Sequence, residues 1–244
     1  MPWGEKADRV VYRGGPHGSG EPNLYEGRLA ADELAALLDP AGREPAERLD
    51  ALVACSRTIP RLELAIWANS PANPERGRLD VQLTKLADKF KDKPKHPCDG
   101  FTGPELGLPE QADVEYIADT EWGANKAFFV VDGFGAAFSF RNKLALDAVV
   151  LKLASPLKLE FERFVLPGVH YVPFTMQNAT EAVRYVLAEE NAAEMQAMVK
   201  RAHTVMTERM GLEKAAERVR DDLVRLWRDV GTMPAAARRR RRAR

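Results

Sequence analysis

Apolar positions along the chain fall into short continuous runs separated by stretches with helical spacing. Arg9-Val10-Val11-Tyr12 is a β-like run ending at Arg13-Gly14-Gly15, and the Gly- and Pro-rich stretch from Pro16 to Asn23 reads as loop. Helical periodicity runs from Ala30 to Leu38 and again from Ala46 to Ser56. Leu62 to Trp67 has the length and apolar content of a buried strand, and Leu79 to Phe90 the pattern of an amphipathic helix. A Lys- and Pro-rich stretch, Lys91 to Pro97, then leads into a long irregular connection marked by prolines and glycines as far as Pro109.

The second half is more regular. Ala127-Phe128-Phe129-Val130-Val131 is a continuous apolar run, as expected of a strand buried on both faces. It ends in Asp132-Gly133-Phe134-Gly135, and a helical pattern follows through Phe140, Leu144 and Ala148. Val149 to Leu153 predicts a second buried strand and His170 to Pro173 a third. Strands alternating with helices argue for an α/β domain with a parallel sheet. From Asn178 the pattern is helical almost to Val230, with Gly211 separating two long amphipathic helices.

Charge changes the picture at one end only. The chain carries 36 Lys and Arg against 36 Asp and Glu, but six arginines crowd into Arg238–Arg244. The body without them is therefore acidic, and no broad basic surface for specific nucleic-acid binding is expected. The tail, 234–244, is read as a disordered Arg-rich end that attracts polyanions by charge alone. Two cysteines, Cys55 and Cys98, are too few for a disulfide scaffold or a four-ligand zinc site, and whether they pair stays open. No apolar run is long enough to span a membrane, and no signal-peptide core follows Met1.

The candidate chemistry lies at the Ala127–Val131 strand. A strand, a Gly-containing turn and a helix point backbone amides at an anion, and Arg141 falls within the helical stretch that follows. A guanidinium fork fits diphosphate oxygens, and fixed positive charge stabilises a diphosphate leaving group. Arg13 beside Gly14 is a similar candidate at the end of the first strand. His170 with Tyr171 reads as a packed structural pair, and Trp122 and Trp227 as packing residues.

Five short elements in order carry a family resemblance. They are Trp3-x-x-Lys6 leading to Val11-Tyr12-Arg13-Gly14; Glu47-Arg48-Leu49 through Ser56-Arg57; Val130-Val131-Asp132-Gly133 with Arg141; Val149-Val150-Leu151-Lys152 with Ser155-Pro156; and His170-Tyr171-Val172-Pro173. Together they resemble the Rumi-like, capsule-associated family of protein O-glucosyl- and xylosyltransferases. That resemblance implies a Rossmann-like parallel sheet, the C-terminal lobe of a GT-B type glycosyltransferase, in a domain over 1–233 ending in long C-terminal helices. It implies a UDP-sugar donor, a protein or glycan acceptor, inversion at the sugar, and no metal or other cofactor. It places Arg13, Gly14, Asp132, Gly133, Arg141, Lys152 and Ser155 around the donor, and the protein in the lumen of the endoplasmic reticulum or Golgi.

Three departures from the family pattern bear on these expectations. The family's base is an aspartate upstream of the Trp-x-x-Lys element, where this chain begins, so no catalytic residue is assigned. The acidic position after Ser-Pro falls on Leu159, with Glu160 adjacent. About thirty residues between Gly15 and Glu47 stand as an insertion. Two rival readings therefore remain beside the transferase: a nucleotide-sugar-binding domain without chemistry, and an interaction protein acting through its Arg tail.

Overall fold

The computed structural model describes residues 1–15, 25–39, 41–84, 98, 101–106, 108, 117–133 and 135–232. The loop expected at Pro16–Asn23, residues 85–97, most of the irregular connection to Pro109, and the Arg-rich tail lie outside the described residues. Two units group by their internal contacts, Met1–His203 and Thr204–Arg244.

The first unit is built on five parallel strands: β1 (Ala7–Gly14), β2 (Leu79–Leu83), β3 (Asn125–Val130), β4 (Val149–Leu153) and β5 (Val172–Phe174). Their order is β2-β1-β3-β4-β5. Every pairing is parallel, with Val11 opposite both Asp80 and Phe128, and Phe128 opposite Val150. β3 and β4 are buried along their whole length, which is why Ala127–Val130 and Val149–Leu151 read as continuous apolar runs. This is the Rossmann-like α/β arrangement. The winding reverses between β1 and β3, and in such sheets ligands bind beyond the carboxyl ends of the strands at that reversal.

Helices cover the sheet. α1 (Ala31–Leu38), α2 (Ala46–Thr58) and α3 (Pro60–Asn69) pack on one another, with α3 against β2. A single turn, α4 (Asp119–Trp122), precedes β3, and α5 (Ser139–Lys143) follows it. α6 (Ala179–Leu187) packs against β5, β3 and β1. Phe129 lies at the centre of the resulting core, edge-on to Trp67 and tilted against Phe174.

Three sequence expectations are corrected here. Leu62–Trp67 lies in α3, not in a strand. Helix and strand give the same unbroken apolar signal when an element is buried on all sides, and Pro60 at the first helical position pre-sets the backbone for a helix. Leu79–Leu83 is β2, not the start of a helix; Leu79, Val81 and Leu83 alternate with Asp80 and Gln82 at the strand period of two. The helix expected through Phe140, Leu144 and Ala148 ends at Lys143, and buried Leu144 and Ala148 belong to the turns that return the chain to β4.

Cys55 of α2 pairs with Cys98 in a disulfide. The Trp-x-x-Lys element also has a structural role. Lys6 Nζ is buried, donates to the carbonyls of Gly123 and Asp147, and lies 3.0 Å from the Asp147 carboxylate. It thereby ties the chain's start to the segments entering β3 and β4, at the pole of the sheet opposite the strands' carboxyl ends.

α7 (Ala192–Met210) buries Met195 and Met198 in the core of the first unit. The second unit contains the end of α7 and α8 (Leu212–Thr232). Val219, Leu223, Leu226 and Trp227 are exposed on α8, with Trp227 at 77%, so Trp227 is not the packed residue the sequence implied. Among the described residues no helix is long and apolar enough to cross a membrane.

Candidate functional site

Parallel strands end in carbonyls that no neighbour satisfies, and at the β1/β3 reversal one side chain collects them. Arg61, at the start of α3, donates from Nε to Asp132 O (3.0 Å), from Nη2 to Val131 O (3.1 Å) and from Nη1 to Gly15 O (3.2 Å). It ties the two strand ends together and sets positive charge at the point where the winding reverses. Beside it, the Tyr12 phenol passes so close to Gly14 that a Cβ there would lie 2.4 Å from the hydroxyl oxygen. Gly14 is thus required by packing. Burial pushes the Tyr12 phenol up to about 12.

The turn after β3 is organised by Asp132. Its carboxylate is fully buried; Oδ1 accepts from the Ala137 amide (2.8 Å) and from Lys152 Nζ (3.0 Å), while Oδ2 has no hydrogen-bond partner. Lys152, on β4, also donates to Leu153 O. The Gly133 amide donates to Gly135 O, which closes the turn on itself. Because α5 spans only five residues, the turn does not lead into a long helix whose dipole could hold an anion.

Beyond the carboxyl ends of β4 and β5 lies a cleft of about 380 Å³. Lys152, Ser155 and Lys158 line it on one side, Tyr171 and Pro173 on another, and Glu26 on a third. Ser155 Oγ accepts from the Leu157 amide, which fixes the bend after β4. Next to Glu26, the Tyr25 ring is buried, and its phenol is pushed up to about 12 by burial and by the charge of Asp132.

Of the residues expected around a donor, the fold brings Asp132 and Lys152 into contact and places Lys152 and Ser155 on one cleft. Gly133 lies in the adjoining turn, and Arg141 is exposed on α5. Arg13 points elsewhere. Its guanidinium meets Asp80 of β2 at 2.8 Å and donates to the Asp80 carbonyl, on the far side of β1 from β4. Trp122 is core: it is buried, stands edge-on to Phe128 and takes Lys143 Nζ over its ring. His170 accepts from the Leu166 amide, and burial lowers its pKa, as a packed histidine would.

Sequence reasoning missed Arg61, Tyr25 and Glu26. Arg61 was hidden by the strand assignment of its neighbours, although Pro60 marks a helix start where an Arg would face the strand ends. Tyr25 and Glu26 follow a Gly-rich loop and carry no periodic signal.

The whole segment from α4 through β3, β4 and β5 has a counterpart among known families. Residues 119–226 match the sequence model of glycosyl transferase family 90. The matched segment contains Asp132, Gly133, Arg141, Lys152 and Ser155, whereas Arg13 and Gly14 lie before it. So does Glu26, so the cleft combines residues of the matched segment with a wall from outside it. No curated protein matches the chain.

Proposed function

We propose that this chain is the donor-binding lobe of an inverting, metal-independent glycosyltransferase that moves glucose or xylose from a UDP-sugar to a protein or glycan hydroxyl. The observation that carries the reading is one coincidence of place. The segment similar to family 90 supplies the carboxyl ends of β3, β4 and β5; the sheet reverses its winding beside β3, and the cleft opens beyond β4 and β5 on the same edge of the sheet. Open α/β sheets bind nucleotides beyond the carboxyl ends of their strands.

In this reading Arg141 presents a guanidinium fork to the diphosphate, whose negative charge rises as the bond to the sugar breaks. Asp132 acts indirectly: by holding Lys152 and the Ala137 amide it fixes the turn on which Arg141 is carried. Gly133 lets the turn close tightly, and Ser155 sets the bend that forms the cleft edge. Arg13, engaged with Asp80, and Gly14, which makes room for the Tyr12 phenol, shape the end of β1 and support the donor site only from a distance. The Cys55–Cys98 disulfide supports residence in an oxidising compartment, in keeping with the lumen of the endoplasmic reticulum or Golgi.

Thermal denaturation with and without UDP tests the proposal. A ligand that binds only the folded state at a hundred times its Kd stabilises by about 2.7 kcal/mol. UDP is expected to raise Tm by several degrees while ADP does so far less. Equal, negligible shifts with both nucleotides would overturn the reading.

A further inference from the structure

The wall of the cleft that lies outside the family-90 match is held with unusual firmness for a loop. Tyr25 is buried at one end of it. Gly27 adopts φ +63°, and its Cα packs so tightly on Thr175 that a Cβ would lie 2.5 Å from the threonine Cβ. The Gly27 carbonyl accepts from the Gln177 amide, just past β5. Arg28 then makes a buried ion pair with Glu63 of α3, and Glu63 also accepts from the Leu29 amide at 2.8 Å. Glu26 sits between these anchors, with its side chain exposed on the cleft.

Among the described residues, Glu26 is the one acid lining the cleft, and its carboxylate has no hydrogen-bond or ion-pair partner there. Pro156, Pro167, Pro173 and Tyr171 supply flat apolar surface around it. A carboxylate beside flat apolar walls is the chemistry that recognises a sugar ring: two adjacent oxygens accept from two adjacent hydroxyls while the C–H faces rest on the walls.

We infer that Glu26 is the diol-binding carboxylate of this cleft and determines its affinity for the hydroxyl-bearing ring of the ligand. The inference rests on reading the cleft as the donor site. The pinned backbone matters because a preorganised acceptor loses little freedom on binding. The same chemistry is offered by the ribose and by the transferred sugar, and the choice of ligands separates them.

The test is calorimetric titration of the full chain, and of Glu26→Gln and Glu26→Ala, with UDP, 2′-deoxy-UDP and UDP-glucose. Glu26 is exposed, so both variants are expected to keep the wild-type Tm. If the ribose is held, wild type binds UDP about tenfold tighter than 2′-deoxy-UDP, and both variants lose that difference. If the transferred sugar is held, the variants bind UDP normally but lose about tenfold toward UDP-glucose. Variants that bind all three ligands like wild type would overturn the inference while leaving the donor site standing. A wild-type chain that binds none of the three would overturn the donor site and the inference with it.

Discussion

Lys152 Nζ lies 3.0 Å from Asp132 Oδ1, and both side chains are almost wholly removed from water. Lys152 is the penultimate residue of β4 and Asp132 lies in the turn after β3, so the pair locks these two neighbouring strands together at their carboxyl ends. Removing one partner leaves a charge buried alone, which costs about 3–5 kcal/mol, whereas replacing both is much less harmful. Lys152→Met is therefore expected to lower stability by roughly that amount, and Lys152→Met with Asp132→Asn by clearly less. Urea denaturation of the two variants measures the difference.

Gly27 combines a left-handed backbone with contact against Thr175. Gly27→Ala is expected to cost about 1–3 kcal/mol through strain and overpacking. Adding Thr175→Ser should recover only a small part, since it removes Cγ2 but leaves the Cβ that would lie 2.5 Å away, and the backbone remains in its left-handed region. Denaturant midpoints of the single and double variants report both contributions.

The fold was legible where one element produces one signal. β3 and β4, buried on both faces, are dominated by the apolar runs Ala127–Val130 and Val149–Leu151, and α7 and α8 show long helical periods broken at Gly211. Legibility failed where burial erased the period, as at α3, and where a short alternation was absorbed into a longer window, as at β2. At the site, Asp132, Lys152 and Ser155 could be found because they end strands that could be found. Arg61 and Glu26 could not, because their roles depend on which strand ends become neighbours in space, and the order β2-β1-β3-β4-β5 is written in no local pattern.

Tyr12 and Tyr25 both have phenols pushed up to about 12 from the ordinary 10. Between those values the unfolded chain gives up protons that the folded chain keeps, so stability falls as pH rises from 10 toward 12. Absorbance at 295 nm should show a late ionisation phase in the folded protein. Tyr12→Phe and Tyr25→Phe should each diminish that phase, and urea midpoints should drop over the same pH interval.

The Cys55–Cys98 bridge closes a loop with a sequence separation of 43. Loop-closure entropy assigns such a bridge roughly 4 kcal/mol. Reduction under native conditions, or Cys55→Ala with Cys98→Ala, is expected to lower Tm markedly. A reductant should leave the melting curve of the double variant unchanged.

In the proposed function the cleft beyond β4 and β5 holds a UDP-sugar donor, with Arg141 of α5 on its diphosphate. The decisive measurement is calorimetric titration of the chain and of Arg141→Ala with UDP. Micromolar binding to wild type is expected, with a loss of about tenfold or more in Arg141→Ala, roughly 1.4 kcal/mol, and the variant still folded. Absence of binding in a folded wild-type chain, or an Arg141→Ala variant that binds UDP as tightly as wild type, would contradict it.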